Sequence, residues 1–237
     1  MAAIHLILFS RAPVAGESKT RLAASLGGEA AKAFHVCCLK DLIATFDRFR
    51  DGNTEVHCHL FITPPHAEGP FAAEGVHWPE HFQVHPQCGQ ELGERMANAF
   101  AQILGGSSRG SRALLMGADL PLLQEGHLAD AVQALQRADV VWGATADGGY
   151  YLVGMKQPYP ELFALEGWGG SAVLKASLAR AAELGLSTEC TSALPDVDVF
   201  GDLARVRAHP LFRELGGRHA TRFIAGLPRD DPQGAPG

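Results

Sequence analysis

The chain has 237 residues and a formal net charge of −6, with 46% hydrophobic and 19% charged residues, which is typical of one globular domain. It contains no basic run, which argues against nucleic acid as the main partner and gives no signal for a membrane surface. Its apolar start, residues 4–9, is too short for a signal-peptide core, and no stretch reaches transmembrane length. Because the five cysteines are odd in number and lack a Cys-x-x-Cys spacing, we expect free thiols and a cytoplasmic protein.

A basic loop follows the first predicted strand. Ile4 to Phe9 is an apolar run, and Pro13 and Gly16 keep the next residues irregular until a helix opens near Ser18. The cations close to this helix start are Arg11, Lys19 and Arg21. Since positive charge opposes the helix dipole there, the cluster favours an anionic partner such as phosphate over a solvated basic surface. Neither a P-loop nor a dinucleotide-binding glycine pattern is present.

The next elements are predicted from periodicity and from Pro or Gly punctuation. They are a helix from Glu29 to Phe49, a strand from Val56 to Thr63, an irregular stretch over 66–80, a short strand from Phe82 to His85, and a helix from Gln90 to Leu104. Arg95 in the last helix is a candidate ligand contact, and an ion pair with Glu91 is the equal alternative. His57 and His59 share a strand face, but no second ligand pair has zinc spacing, so a polar strand face is favoured over zinc.

Asp119 follows a strand that is predicted to be buried on both faces. The apolar run Ala113 to Met116 stops at Gly117, and Pro121 suits the start of a helix. Ligands of open α/β sheets bind at the carboxyl ends of strands, which makes Asp119 a candidate site residue. The equal alternative is a helix N-cap.

Asp147 is a second acid at a predicted strand end. A helix over 124–136 and a strand from Asp139 to Gly143 precede the turn Asp147-Gly148-Gly149, and Tyr150 to Val153 forms the next strand. An ordinary hairpin turn is the alternative to a ligand site here. A helix over 171–185 with Ser171 as its N-cap, an edge strand over 187–193 and a helix over 200–208 complete the elements. We predict one domain, 1–225, and a flexible tail, 226–237.

Four motifs in one order carry a resemblance to a known family. They are R-x-P-x-x-G-x-x-K-T-R-L (11–22), G-A-D-L-P (117–121), D-G-G-Y-Y-L-V-G (147–154) and D-V-D (196–198). Over about residues 4–208 the sequence resembles the bacterial rSAM/selenodomain-associated glycosyltransferase family of the nucleotide-diphospho-sugar transferase (GT-A-like) superfamily. It is also similar to 2-phospho-L-lactate guanylyltransferase, which has an early K-x-R-L. The family's usual W-S-T segment reads Trp168-Gly169-Gly170 here.

The resemblance implies a three-layer α/β/α sandwich with a mixed, mainly parallel sheet and a nucleotide pocket over the first strand's carboxyl end. It also implies roles for individual residues. Residues of the 10–16 loop would hold base and ribose: Ser10, Arg11, Ala12, Pro13 and Gly16. Arg95 would also contact the nucleotide, and Lys19 and Arg21 would neutralise a triphosphate. Asp119, catalytic together with Lys19 and Arg21, would share Mg²⁺ or Mn²⁺ with Asp198. The acceptor side would contain Asp147, Gly148, Gly149 and Trp168.

Three functions are compatible with these residues. The first is a nucleotidyltransferase that joins a nucleoside monophosphate (NMP) from a nucleoside triphosphate (NTP) to a phosphorylated small-molecule acceptor, and Lys19 and Arg21 favour it. The second is a glycosyltransferase that uses a nucleotide-sugar, which typically carries a D-x-D motif near the middle of the sequence, where only Asp119 stands here. The third is a non-catalytic nucleotide-binding module. The expected partners are a nucleotide and a small acceptor, with neither nucleic acid nor membrane, and a homodimer is left open.

Overall fold

The computed structural model describes residues 2–53, 55–108, 110–165, 167–168 and 170–232. In these residues the strands are β1 (Ile4–Arg11), β2 (Val56–Thr63), β3 (Phe82–Pro86), β4 (Arg112–Gly117), β5 (Val140–Ala144), β6 (Tyr150–Met155) and β7 (Thr188–Thr191). They form one sheet in the order β3-β2-β1-β4-β6-β5-β7. β6 runs antiparallel to β4 and β5, and the other neighbouring pairs are parallel. The predicted mixed, mainly parallel sheet is therefore confirmed.

Helices cover both faces of the sheet. They are α1 (Thr20–Leu26), α2 (Gly28–Asp51), α3 (Glu68–Ala73), α4 (Leu92–Gly105), α5 (Glu125–Ala134), α6 (Val173–Glu183), α7 (Asp202–Ala208), α8 (Pro210–Glu214) and α9 (His219–Gly226), with a 3₁₀ turn at Pro160–Phe163. Alternate residues of β1 enter two cores, since Leu6 and Leu8 pack with α2 and α5 while Ile7 packs with α4. This arrangement gives the three layers that the resemblance implies.

The structure differs from the sequence predictions mainly in short helices. α3 lies inside the stretch predicted to be irregular, and α8 and α9 were not anticipated. Each is at most eight residues long, too short for a clear amphipathic period. Ser171 is not an N-cap, because α6 begins at Val173 with Ala172 before it. Of the predicted tail, Gly226 ends α9, and 233–237 lie outside the described residues.

The last helix is anchored by a buried carboxylate. Asp41 of α2 is 6% exposed and accepts hydrogen bonds from the backbone N–H groups of His219 (3.1 Å) and Ala220 (2.8 Å). These are free donors of the first turn of α9, and an acid is favourable there. The C-terminal helix is thereby fixed to the α2 layer.

A search of the described residues for a helix long and apolar enough to cross a membrane found none.

Candidate functional site

Parallel strands bring their carboxyl ends to one rim of the sheet. Ser10 and Arg11 end β1, Thr63 ends β2, and Asp119 stands two residues beyond β4. Asp119 is not a helix cap, since α5 begins at Glu125 with Gln124 as its N-cap. The capping alternative for Asp119 is therefore wrong, and its carboxylate is free for another role.

Lys19 joins two acids at this rim. It precedes α1 in a left-handed conformation (φ 54°), and its side chain is only 5% exposed. Its Nζ lies 2.7 Å from Oδ1 of Asp119 and 3.3 Å from Oδ1 of Asp198, and it also donates to the carbonyl of Val197. The N–H of Val197 donates in turn to the carbonyl of Asp119 at 3.2 Å. The D-V-D segment is thereby held against the end of β4.

The charges of this cluster balance one another. Burial acts to lower the pKa of Lys19, but the carboxylates of Asp119 and Asp198 outweigh it, so the pKa is raised and the ammonium persists. Arg21, which is mostly exposed, lies 3.8 Å from the other oxygen of Asp198. The acids that the sequence predicts as metal ligands share one rim, and Lys19 and Arg21 together offset their charge.

A cavity of about 400 Å³ opens above the ends of β1, β2 and β4. Its wall includes seven of the predicted site residues: Ser10, Arg11, Lys19, Arg21, Arg95, Asp119 and Asp198. Ala12, Pro13 and Gly16 are not among the described residues that line it, and the first two are buried beneath the loop. Its lining contains four cations, Arg11, Lys19, Arg21 and Arg95, and three acids, Glu17, Asp119 and Asp198, so the cations are in excess. We name this space the first cavity.

Sequence reasoning missed two residues of the first cavity. Gln87 follows β3 directly, and its amide donates to the carbonyls of Ser10 (3.1 Å) and Phe61 (2.9 Å). His35 of α2 places Nε2 3.0 Å from the carbonyl oxygen of Arg11, while its buried Nδ1 has no partner among the described residues. Both side chains fix the end of β1. Gln87 directly follows a strand, so the argument that placed Asp119 at the ligand-binding rim could have found it as well. His35 is a single histidine on an apolar helix, and no sequence pattern marks it as a site residue.

Arg95 contacts backbone rather than Glu91. Its Nε donates to the carbonyl of Gly89 at 3.0 Å, and Nη2 donates to the carbonyl of Gln90 at 3.2 Å. No ion pair with Glu91 is found among the described residues. Arg95 therefore shapes the loop before α4 while it borders the first cavity.

A second cavity, of about 260 Å³, adjoins the first. The residues common to both walls are Phe9, Leu92, Gly117, Asp119 and Asp198. The second cavity also contains the predicted acceptor residues Asp147, Gly149 and Trp168, with Tyr150 and Tyr151. Gly148 packs elsewhere, since a Cβ on it would collide with the carbonyl oxygen of Ser171. Gly169 lies outside the described residues.

Trp168 and Asp147 are held in place by their neighbours. The indole lies against α4, where a Cβ on Gly93 would be 2.7 Å from Nε1 of Trp168. Oδ1 of Asp147 accepts hydrogen bonds from Thr145 Oγ1 (2.5 Å) and the N–H of Gly149 (3.1 Å). Burial acts to raise the pKa of Asp147, but these hydrogen bonds outweigh it and the pKa is lowered, so the group is ionised at neutral pH.

Asp196 adds a further acid behind this wall. Burial, followed by the nearby charge of Asp147, raises its pKa to about 6. The electrostatic surroundings of the second cavity are therefore acidic, in contrast to the cationic first cavity.

The oxygens of Asp119 and Asp198 suit Mg²⁺ or Mn²⁺, which takes one or two carboxylates and completes its shell with water and phosphate. No group of three or more His, Cys, Asp or Glu side chains with metal-binding geometry is found in the described part of the sequence. The donor set thus fits a cation that is bound together with a nucleotide phosphate.

The histidines of β1, β2 and β3 form a hydrogen-bonded row on the sheet face that α4 covers. His5 Nδ1 lies 3.0 Å from His59 Nε2, and His59 Nδ1 lies 3.1 Å from His85 Nε2. His57 is exposed and stacks on His5. The ring nitrogens of His5, His59 and His85 are therefore hydrogen-bonded to one another along this polar strand face.

Comparison with known proteins places the protein in a family and in a fold. A family model described as "Uncharacterized protein conserved in bacteria (DUF2064)" matches residues 50–170. A search of curated proteins found no match. A solved structure from Desulfovibrio desulfuricans G20, described as a candidate nucleotide-diphospho-sugar transferase, is 24% identical with a TM-score of 0.75, and the match covers 95% of this chain and 98% of that one.

More distant solved structures have the same fold. CMP:2-keto-3-deoxy-manno-octonic acid synthetase, solved with CTP, is 12% identical with a TM-score of 0.50, and the match covers 87% of this chain and 98% of that one. Rv0371C from Mycobacterium tuberculosis H37Rv, solved with manganese, is 15% identical with a TM-score of 0.50, and the match covers 87% of this chain and 98% of that one. These likenesses confirm the predicted nucleotide-diphospho-sugar transferase (GT-A-like) fold.

Proposed function

The chain belongs to the bacterial DUF2064 family, and from its geometry we propose that it is a nucleotide-dependent transferase whose first reaction class is nucleotidyl transfer. One observation carries the proposal. A cationic cavity and an acidic cavity meet at a wall that contains Asp119 and Asp198. Such a wall is suited to a phosphate bound on one side and an attacking group bound on the other, because phosphoryl chemistry depends on positioning and charge.

In the proposed reaction an NTP occupies the first cavity. A nucleophilic oxygen of the acceptor, held in the second cavity, forms a bond to the α-phosphorus while the bond between that phosphorus and the β-phosphate oxygen breaks. The products are the NMP-substituted acceptor and pyrophosphate. When the nucleophile is a hydroxyl, its proton passes to the carboxylate of Asp147, which lines the second cavity.

The side chains of the first cavity share the work of binding. Arg11, Arg21 and Arg95 face the polyphosphate, and Lys19 stabilises the negative charge that develops on the leaving pyrophosphate. Asp119 and Asp198 would hold Mg²⁺ or Mn²⁺, which supplies charge neutralisation for the phosphate oxygens. Gln87 and His35 keep the end of β1 in position. The distant relative solved with manganese supports a divalent cation, and the relative solved with CTP supports a nucleotide.

Glycosyl transfer from a nucleotide-sugar is the second candidate. The aromatic wall of the second cavity, Trp168 with Tyr151, favours it, since sugars pack well on flat apolar rings. In that reaction the nucleoside diphosphate would occupy the first cavity and its sugar the second. The Desulfovibrio relative's description points the same way.

A thermal-shift panel separates the candidates. Each NTP and each UDP-, GDP- and ADP-sugar is added with Mg²⁺, and the ligand bound by the native state raises Tm. A shift with an NTP at concentrations where nucleotide-sugars give none supports nucleotidyl transfer, and the reverse supports glycosyl transfer. Arg21→Ala should weaken the shift, while Arg213→Ala, an exposed arginine of α8, should not. No shift with any nucleotide at millimolar concentration would overturn both candidates.

Turnover then tests catalysis. The protein is incubated with the stabilising NTP and a filtered extract of bacterial small molecules, and pyrophosphate release is measured. Nucleotide binding without release from any extract fraction would instead favour the non-catalytic nucleotide-binding module.

A further inference from the structure

The second cavity differs from the first in charge. Among the described residues that line it, the ionisable side chains are the acids Asp119, Asp147 and Asp198 and the tyrosines Tyr150 and Tyr151, and none is a cation. Lys19 and Arg21 contact Asp198 but line the first cavity only. Arg205 lies close enough to help lower the pKa of Asp147, yet its guanidinium is paired with Asp202.

From this lining we infer that the second cavity accepts an uncharged, hydroxyl-bearing molecule with a flat or apolar face, and that it excludes phosphorylated acceptors. The inference rests on the proposed function, in which this cavity holds the acceptor, and it departs from the phosphorylated acceptor that the sequence predicts. A phosphate dianion needs a cation or a set of free N–H donors in its pocket. Placed among carboxylates, it meets like charges, which cost several kcal/mol in a binding site.

The apolar part of the wall defines the rest of the acceptor class. Phe9, Met96 and Val173 provide aliphatic and aromatic surface, and Trp168 provides a ring fixed against Gly93. The carboxylates accept hydrogen bonds, so hydroxyl groups of the acceptor can donate to them. A polyol or sugar with one apolar face satisfies both requirements.

Asp147 is the residue on which the exclusion depends most directly. Asp119 and Asp198 are shared with the first cavity, where Lys19 and Arg21 offset their charge. Asp147 lines the second cavity but not the first. Hydrogen bonds from Thr145 and Gly149 keep its carboxylate ionised. A change of its charge therefore changes the charge of the second cavity with the least effect on the first.

The test compares matched probes with and without a phosphate. Glucose and glucose 1-phosphate, and glycerol and glycerol 3-phosphate, are titrated into the full-length protein in EDTA, so that no added divalent cation masks the acids. Binding is measured by calorimetry and by the fluorescence of Trp168, with Trp168→Phe as the reference for the other tryptophans. Wild-type protein should bind each phosphorylated probe at least about tenfold more weakly than its neutral counterpart, or show no binding of it at this cavity.

Two variants of Asp147 complete the test. Asp147→Lys should bring the affinity for glucose 1-phosphate up by about tenfold, since it places a cation in the cavity. Asp147→Asn keeps a hydrogen-bond acceptor for Gly149 and should give a smaller gain, which guards against a folding defect in the lysine variant. The inference is overturned if wild-type protein binds the phosphorylated probes as tightly as the neutral ones, or if neither variant gains affinity for them.

Failure of this inference is distinguishable from failure of the proposed function. NTP binding is followed separately by Tm and depends on the first cavity. A protein that binds neither an NTP nor a nucleotide-sugar but discriminates between glucose and glucose 1-phosphate would overturn the function and retain the acidic second cavity. A protein that binds NTP and also binds glucose 1-phosphate beside Trp168 would retain the function and overturn the exclusion of phosphorylated acceptors.

Discussion

The ammonium of Lys19 lies 2.7 Å from the carboxylate of Asp119, so a residue at the entry to α1 is bonded to the acid that follows β4. The same nitrogen lies 3.3 Å from Asp198. Any divalent cation that binds these carboxylates must therefore compete with Lys19 for them. A nucleotide relieves the competition, because its phosphates offer the ammonium another partner.

Lys19→Met should separate these two effects. Removal of the ammonium frees Asp119 and leaves Asp198 with only the exposed Arg21 at 3.8 Å, so affinity for Mn²⁺ without nucleotide should rise roughly tenfold. Affinity for the Mg²⁺–NTP complex should fall by about ten- to a hundredfold, because a charge-assisted hydrogen bond to phosphate is worth about 1.5–3 kcal/mol. Calorimetry with Mn²⁺ alone and with the nucleotide complex measures both. Equal Mn²⁺ affinity in variant and wild type would mean that the acids do not bind the cation.

Asp119→Asn tests the same cluster from its other side. The variant retains Asp198 beside the Lys19 ammonium, so we expect the fold to persist with a loss of about 1–3 kcal/mol in the free energy of unfolding. Nucleotide binding should lose its dependence on Mg²⁺, because one of the two carboxylates is gone. The matched control is Asp51→Asn, at the exposed end of α2, which should change neither property. Mg²⁺-dependent binding that survives in Asp119→Asn would refute the shared metal site.

Gly93→Ala should disturb the second cavity and spare the first. Its new methyl group would meet the carbonyl oxygen of Phe163 at 2.6 Å and Nε1 of Trp168 at 2.7 Å, so the indole must move. We expect a lower Tm, altered Trp168 fluorescence and undiminished NTP binding. Gly105→Ala in the same helix, where nothing lies within 4 Å, is the control and should keep or raise Tm. An unchanged Trp168 signal in Gly93→Ala would contradict this packing.

Acid should destabilise the protein through the histidine row. Burial is the main cause that lowers the pKa of His5 to about 4 and of His59 to about 3, against 6.5 for the free side chain. The unfolded chain therefore takes up protons first, and the stabilisation is complete above pH 6.5 and is lost as the pH falls towards 4. Urea unfolding at pH 7 and pH 5 should differ by on the order of 2 kcal/mol for one such group.

His59→Gln removes one titrating group of the row, so its loss between pH 7 and pH 5 should be smaller than that of wild type. His77→Gln, at an exposed position, should follow the wild-type curve. If the two variants lose the same amount as wild type, the row does not control acid stability.

The sequence predicted the sheet and many of the residues that line the two cavities for one physical reason: buried parallel strands are continuous apolar runs that end at a shared rim. That reasoning located Asp119 and Asp147 at strand ends. The same reasoning did not reveal the contact between Lys19 and the acids, because that contact depends on how segments distant in sequence meet in the fold. Gln87 was within reach of the same argument, but the short, polar β3 gave a weak strand signal.

Local signals also failed where competing contacts decide the structure. Ser171 is a good capping residue, yet the loop around it packs against Gly148, and α6 starts later without a side-chain cap. His35 carries no pattern, since its importance lies in the carbonyl of Arg11 that its ring contacts. Residues of this kind act through backbone positions that exist only in the folded protein.

The anchoring of α9 by Asp41 limits how far the protein can be shortened. A protease that cut before His219 would remove both backbone donors of this carboxylate and leave it buried in the α2 layer without them. An unsatisfied buried charge costs several kcal/mol, a large part of a domain's total stability. Trimming of the C-terminus for crystallisation should therefore leave the start of α9 intact, and a clip before His219 would remove a large part of the protein's stability rather than release a harmless peptide.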